Sequence, residues 1–185
     1  MPRLEREVVG ASCKIAQPAG IPDGNTQLNQ HNDIEVVWRP DVTVATIIPR
    51  DGRFLVVEER IRGELVVNQP AGHLEPDESL AEAARRETLE ETGWTVELTD
   101  LIGVYQWTRP EDGWHVLRVT FAGLPVAHDP ARLLDAGIER ALWLSRAEIA
   151  AARTRSPLVL RNIDDWLGGR RLPLDAIQTL AGAGI

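Results

Sequence analysis

Three glutamates, Glu87, Glu90 and Glu91, constrain the fold of this 185-residue chain more than any other feature of its sequence. At helical spacing they share one face with two small apolar residues of the preceding turn, Ala83 and Ala84. A solvated charged helix, the common explanation of a Glu-rich segment, would place its acids opposite the apolar stripe. Here the carboxylates continue the stripe, so we expect them to point inward. Because burying like charges is costly, this pattern predicts a hard divalent cation with oxygen ligands, Mg²⁺ or Mn²⁺.

The position of the charge is more informative than its total, which is −8. Residues 75–91, here called the acidic segment, hold seven acidic and two basic residues. An acidic balance argues against a general nucleic-acid or membrane binder, since both partners attract basic surfaces. The single cysteine, Cys13, excludes an internal disulfide and a cysteine-clustered zinc site. Because no long apolar run or signal-peptide pattern is visible, we expect a cytoplasmic protein.

The sequence divides into a polar extension, residues 1–37, and a domain, residues 38–185. The extension is rich in Gly, Pro, Asn and Gln and lacks sustained periodicity, which predicts a flexible or loosely docked segment. Capping boxes predict helix starts at Ser79 and Ser145, and Ser156-Pro157 predicts a third. The predicted strands are 41–49, 54–59, 64–67, 93–109 and 114–123. This irregular order of strands and helices predicts an α/β chain of the α+β type, with a mixed β-sheet between α-helices.

Seven residues in and around the acidic segment have a distinctive spacing: Gly72, Glu78, Arg86, Glu87, Glu90, Glu91 and Gly93. They fill every fixed position of the Nudix box, G-x5-E-x7-R-E-U-x-E-E-x-G-U, so the chain resembles the Nudix hydrolase family. The two U positions, normally aliphatic, hold Thr88 and Trp94, a departure that concerns packing rather than metal ligands. Such a pattern is far more specific than a lone glycine motif. The similarity extends over residues 38–177 and is greatest to a bacterial subgroup of phosphatases within the family.

The resemblance implies the Nudix fold and the hydrolysis of a diphosphate bridge by metal-activated water, with Mg²⁺ or Mn²⁺ as the cofactor. In Nudix enzymes the inward glutamates bind the metal, which makes Glu87, Glu90 and Glu91 the implied ligands. The main-chain carbonyl of Ala71 is implied as a further ligand. Arg86 is implied to orient Glu87 through a charge-assisted hydrogen bond. The implied catalytic set is therefore Arg86 with the three glutamates.

The base that activates the water varies within the family and stays open at this point. Glu87 is one candidate. Asp135 and Glu139, which precede a predicted strand, are distant alternatives, although exposed loop charges explain either of them as well.

Candidate substrate contacts lie on both sides of the box: Asn68, Gln69, His73, Trp107 and Arg118. Asn68 and Gln69 are explained equally well as a polar strand end, and a lone loop histidine such as His73 is often incidental. Arg118, within an apolar strand, could pair with phosphate oxygens or form a structural salt bridge. Trp107 could stack on an aromatic ring of the substrate or on Trp114 across the predicted turn.

Three functions fit the sequence. The first is a hydrolase of nucleoside di- or triphosphates or of small, thiamin-type pyrophosphates, with substrates such as ADP-ribose as a variant. The second is a diphosphate isomerase on the same fold, which would need an added acid-base pair or cysteine over the substrate; Cys13 lies far from the box in sequence. The third is a nucleotide-sensing module, which commonly lacks a box glutamate. We expect a small diphosphate as the partner, with no nucleic-acid polymer and no membrane, and leave open whether the chain forms a homodimer.

Overall fold

The computed structural model describes residues 27–28, 34–35 and 38–180. The chain divides into two units, Met1–Trp38 and Arg39–Ile185. In the first unit, β1 (Gln27–Leu28) and β2 (Ile34–Glu35) form a short antiparallel pair. The rest of the proposed extension, including Cys13, lies outside the described residues, so its flexibility stays a prediction.

The second unit is built largely of strands. Their bounds are β3 (Asp41–Ile47), β4 (Pro49–Arg50), β5 (Arg53–Ile61), β6 (Glu64–Asn68), β7 (Ala71–His73), β8 (Trp94–Thr108), β9 (His115–His128) and β10 (Ile138–Leu144). One sheet has the order β7-β3-β9-β8 and is mixed, because β3 runs parallel to β9 while the other pairs are antiparallel. The other sheet joins β10, β5 and β4, with β6 also paired to β5.

Two local irregularities occur in these strands. Asp51 and Gly52 both have positive φ, 51° and 75°, as a tight hairpin turn between β4 and β5 requires. β8 has a register shift between Leu98 and Asp100 and continues to Thr108.

The helices begin at the predicted positions. They are α1 (Leu80–Thr92), α2 (Arg146–Ala151) and α3 (Leu158–Leu167), followed by a 3₁₀ turn (Leu174–Ala176). Ser79 caps α1 and Ser145 caps α2, each through the reciprocal pair of hydrogen bonds that defines a capping box. Gly93 ends α1 in the left-handed conformation, with φ of 69°. No helix among the described residues is long and apolar enough to span a membrane.

The helices cover apolar faces of the sheets. Ala83 and Ala84 of α1 pack with Val44 and Phe121 of the β7-β3-β9-β8 sheet in one cluster of buried side chains. A second cluster joins α2 and α3 to β5, for example through Ile163 and Val56. Mixed sheets with packed helices confirm the predicted α+β class. The arrangement also fixes α1 beside β7, where the acidic segment meets the sheet.

Candidate active site

The inward face of α1 carries carboxylates, as the helical spacing predicts. Glu87 is 8% exposed and Glu91 is 9% exposed, while Glu90 is half-buried. Ala83 and Ala84 lie on the same face and are buried in the core. The stripe that begins as hydrophobic core therefore ends as a row of acids on one side of the helix.

Arg86 connects these acids to the loop before α1. Its guanidinium donates to Glu87 at 2.8 Å, to Glu90 at 3.1 Å and to Glu78 at 2.6 and 3.0 Å. It also donates to the main-chain carbonyl of His73 at 3.0 Å. These hydrogen bonds raise the pKa of Arg86 above its usual range and lower the pKa of Glu78. Glu78 thus holds Arg86, and Arg86 in turn holds the two glutamates.

The box glycine is required by a close approach of strand and helix. A Cβ atom at Gly72 would lie 2.1 Å from Cδ of Glu87, so any larger residue would displace that carboxylate. The amide of the preceding residue, Ala71, donates to Oε2 of Glu91 at 2.9 Å. Backbone of β7 therefore positions both buried carboxylates, whereas the implied carbonyl ligand at Ala71 stays a prediction.

Carboxylate oxygens of Glu87, Glu90 and Asp135 all lie within 4.8 Å of one another, and we call these residues the carboxylate cluster. The amide of Asp135 donates to the carbonyl of Glu90 at 3.2 Å, which holds the loop before β10 against α1. Hard divalent cations prefer such oxygen donors, so the donor set fits Mg²⁺ or Mn²⁺. Of the two distant acids, Asp135 reaches this cluster, whereas Glu139 pairs with Arg60 at 2.7 Å.

Burial disfavours the ionised form of the glutamates in this site. It raises the pKa of Glu91 to about 8, and the charges of Glu87, Glu59 and Asp135 raise it further against the lowering effect of the Ala71 amide. Burial also raises the pKa of Glu87, partly offset by Arg86. A bound cation would favour the ionised form of both groups, so the site is poised to exchange protons for metal.

A cavity of about 340 Å³ opens beside the two buried glutamates. Its walls include residues of several strands, of the loop before α1 and of the segment before α3: Thr43, Glu59, Asn68, Ala71, Gly72, His73, Glu75, Glu87, Glu91, Trp107, Arg109, Trp114, Val116, Arg118, Arg155, Ser156 and Leu158. The volume lies within the range of small-molecule sites.

Four of the five candidate substrate contacts line this cavity: Asn68, His73, Trp107 and Arg118. Gln69 does not. It is 1% exposed, and its amide donates to the carbonyl of Val159 at 2.8 Å, which ties β6 to the start of α3. Gln69 is therefore a polar residue at the end of a strand, which was the alternative interpretation of this position.

The two tryptophans at the cavity contact each other. The rings of Trp107 and Trp114 meet edge to face, with centroids 6.4 Å apart. Trp114 also donates to Asp41 through its indole nitrogen and lies under the guanidinium of Arg109 at 4.7 Å. The two tryptophans therefore pack on each other and also line the cavity.

Six charged or polar residues of the cavity were not predicted from the sequence: Thr43, Glu59, Glu75, Arg109, Arg155 and Ser156. Glu59 had a signal, because alternation along β5 places it on the same side as Leu55, a core residue. Arg155 and Ser156 had none. They reach the site because residues 153–155 pair with β6, where Val67 exchanges hydrogen bonds of 2.8 and 2.9 Å with Arg153 and Arg155.

Both departures from the box pattern are accommodated by packing. Thr88 is buried, and its hydroxyl donates to the carbonyl of Ala84 at 2.7 Å. Trp94 stacks on His128 with ring centroids 4.5 Å apart and meets Trp143 edge to face. Neither side chain lies among the residues that line the cavity.

Comparisons with known proteins agree with this geometry. Residues 37–167 match the family model of the NUDIX domain. Phosphatase NudJ of Escherichia coli K12 is 44% identical over 142 residues, covering 76% of this chain and 92% of the relative. A NUDIX hydrolase from Nitrosomonas europaea is 48% identical with a TM-score of 0.75, covering 77% of this chain and 98% of the other. The NUDIX domain of Shewanella oneidensis NrtR, solved with ADP ribose, covers 71% of this chain and 90% of the domain. It shares the fold at 15% identity and a TM-score of 0.56.

Proposed function

The chain belongs to the Nudix hydrolase family, and from that premise we propose that it is a Mg²⁺-dependent pyrophosphohydrolase. Its substrates in this proposal are nucleoside di- or triphosphates or small organic diphosphates. Mn²⁺ is the alternative cofactor. We further propose that the protein acts in the cytoplasm and has neither a nucleic-acid polymer nor a membrane as partner.

The observation that carries the proposal is the complete carboxylate set beside a cavity of ligand size. Glu87, Glu90 and Asp135 approach within 4.8 Å, and Glu91 is buried next to them on the same helix face. Arg86 supplies one positive charge against these four acids, and a cation would compensate the remaining negative charge. A sensing module has no need of all these acids, which favours hydrolysis over sensing.

Each residue has a proposed role that follows from its contacts. Glu87, Glu90 and Glu91 hold the metal, which when bound neutralises phosphate charge and makes hydroxide easier to form at neutral pH. Arg86 keeps Glu87 and Glu90 at fixed positions, and Glu78 keeps Arg86 there. Gly72 lets the substrate-facing backbone approach Glu87. Glu87 and Asp135, both members of the carboxylate cluster, are the two candidates to accept the proton of the attacking water.

The substrate occupies the cavity in this proposal. Asn68 and Arg118 contact it from the buried side, while His73 and Trp107 contact it nearer the exposed side. Gln69 supports the wall from behind through its bond to Val159. The diphosphate lies toward the glutamates in this proposal, because a bound divalent cation there would neutralise phosphate charge.

The test is replacement of the metal ligands by their neutral isosteres. We expect Glu90→Gln and Glu91→Gln each to lower Mg²⁺-dependent phosphate release more than about a hundredfold, since even second-shell changes at metal sites cost about 10–100-fold. The matched control is Glu97→Gln, an exposed glutamate of β8. Circular dichroism should show all three variants folded. Undiminished turnover in both ligand variants would refute the proposed function.

Substrate identity needs a separate measurement. Nucleoside di- and triphosphates, ADP-ribose, diadenosine polyphosphates and thiamin-type diphosphates are compared by kcat/KM. If ADP-ribose has the highest kcat/KM, the proposed substrate class becomes nucleoside diphosphates linked to a second group.

A further inference from the structure

Four polar side-chain atoms around the cavity have no hydrogen-bond partner among the described residues. They are Oε1 of Glu59, Oδ1 of Asn68, Nη1 of Arg118 and Oγ of Ser156, and we call these residues the polar wall. Asn68, Arg118 and Ser156 are only 5%, 7% and 7% exposed. Buried polar atoms are nearly always paired in native proteins, because an unsatisfied one costs about 1–3 kcal/mol. The polar wall therefore has hydrogen-bonding capacity that the described residues leave unused.

The neighbours of Arg118 satisfy its guanidinium only in part. Its Nε donates to the hydroxyl of Thr43 at 3.2 Å, while Nη1 has no partner among the described residues. Burial lowers the pKa of Arg118 to about 10, and the charges of Glu59 and Glu91 act in the opposite direction. A guanidinium that stays charged at neutral pH with a free, buried nitrogen favours a ligand atom that accepts a hydrogen bond.

The rest of the polar wall offers acceptors. Burial raises the pKa of Glu59, while Arg155 and the Asn68 amide act in the opposite direction, and Oδ1 of Asn68 has no hydrogen-bond partner among the described residues. Oε1 of Glu59 accepts no hydrogen bond from a described residue, although Nε of Arg155 lies 3.8 Å away. A phosphate group placed here would meet a carboxylate and a carbonyl oxygen, so the wall disfavours phosphate. It favours a neutral group with hydrogen-bond donors next to an acceptor.

We propose that Glu59, Asn68 and Arg118 read the amino-bearing edge of a substrate heterocycle. The exocyclic amino group donates to Oε1 of Glu59 and Oδ1 of Asn68, and the adjacent ring nitrogen accepts from Nη1 of Arg118. This assignment rests on the proposed function, because it takes the cavity as the place where the organic part of the diphosphate binds. It predicts a preference for cytosine and adenine nucleotides over their keto counterparts, uracil and hypoxanthine.

The preference follows from two mismatches in the keto compounds. A keto oxygen would face the Glu59 carboxylate, and a protonated ring nitrogen would face the Arg118 guanidinium. Sites built to hydrogen-bond a substrate group reject analogues that leave buried polar groups unpaired. Loss of one charge-assisted hydrogen bond corresponds to roughly a tenfold to hundredfold change.

The first experiment compares kcat/KM for cytidine and uridine diphosphates and for adenosine and inosine diphosphates with Mg²⁺. We expect the amino member of each pair to be favoured by about tenfold or more. In Glu59→Gln the ratio should fall toward one, because the amide can also donate to a keto oxygen. The matched control is Glu58→Gln. Glu58 is the adjacent carboxylate and pairs with Arg140 at 2.6 Å, so this variant should keep the wild-type ratio.

The second experiment measures binding of cytidine and uridine monophosphates by calorimetry without metal, so it requires no catalysis. Tighter binding of the cytidine compound, without turnover of any diphosphate, would refute the proposed hydrolysis while supporting the polar wall. Equal kcat/KM values and equal affinities of the wild-type protein for amino and keto compounds would overturn this inference. So would an unchanged ratio in a folded Glu59→Gln. If that variant fails to fold, the wild-type comparisons decide alone.

Discussion

At the scale of single residues, Glu91 shows how the site opposes the stability of the metal-free protein. Its pKa is raised from about 4.5 to about 8 by burial, so the folded chain binds a proton there more tightly than the unfolded chain. Stability is therefore highest below the unfolded pKa and is lost as the pH rises through the interval up to about 8. The same carboxylate that is needed to hold a cation thus weakens the fold when no cation is bound.

We predict that Glu91→Gln removes part of this pH dependence. In metal-free buffer, the free energy of unfolding of the wild-type protein should fall between pH 5 and pH 8.5. The contribution of Glu91 should be on the order of 2–4 kcal/mol, since each pKa unit corresponds to about 1.4 kcal/mol. Glutamine can still accept from the Ala71 amide, so the variant should be more stable than wild type at pH 8.5. Urea denaturation across this range measures both effects.

The exposed control, Glu97→Gln, should keep the wild-type slope of unfolding free energy against pH. Some slope should remain in Glu91→Gln, because burial also raises the pKa values of Glu87 and Glu59. Identical slopes in wild type and Glu91→Gln would show that Glu91 titrates as an ordinary carboxyl.

At the scale of elements, the contact between β7 and α1 decides whether the carboxylates can assemble. Gly72 lies against Glu87 so closely that an added methyl group would overlap the carboxylate. We predict that Gly72→Ala lowers turnover toward the level of Glu87→Ala, while the global fold stays intact. The double variant should be no worse than Glu87→Ala alone, because both changes act on one side chain. Rate measurements on the three variants form a double-mutant cycle, and additive losses would contradict this explanation.

Elements were the part of the molecule that the sequence described best. Capping boxes located the starts of α1 and α2, and β-branched runs located the main strands, because these signals act over a few neighbouring residues. The inward face of α1 was also predictable, since helical spacing is fixed. Ser156-Pro157 predicted the start of α3, which begins at Leu158 without a side-chain cap.

The walls of the cavity were much less predictable. Asn68 was a candidate because it precedes the box, and Arg118 because an arginine within an apolar strand can pair with phosphate oxygens. Arg155 and Ser156 carry no local signal, since they reach the cavity only through the pairing of residues 153–155 with β6. Gln69 shows the converse case: adjacent to Asn68 in the chain, it points into the protein interior instead.

At the scale of the whole molecule, metal binding should appear as stability. A ligand that binds only the folded state stabilises it by RT ln(1 + [L]/Kd), about 2.7 kcal/mol at a hundred times Kd. We predict that the thermal midpoint rises with the logarithm of Mg²⁺ concentration and returns to its starting value with a chelator. Differential scanning calorimetry of wild type and Glu90→Gln tests this, and the variant should show little response. An equal rise of the thermal midpoint in wild type and Glu90→Gln would place the cation outside the carboxylate cluster.

The distribution of the site along the chain has a consequence for how such an enzyme can diversify. The groups proposed to hold the metal come mostly from one continuous segment around α1, whereas the remaining cavity walls come mostly from β3, β5, β6, β8, β9 and the segment before α3. Substitutions in those walls alter which organic group fits without touching the groups that break the phosphate bond. A gene for this chain can therefore acquire a new substrate by a few scattered mutations, and the hydrolytic reaction is inherited unchanged.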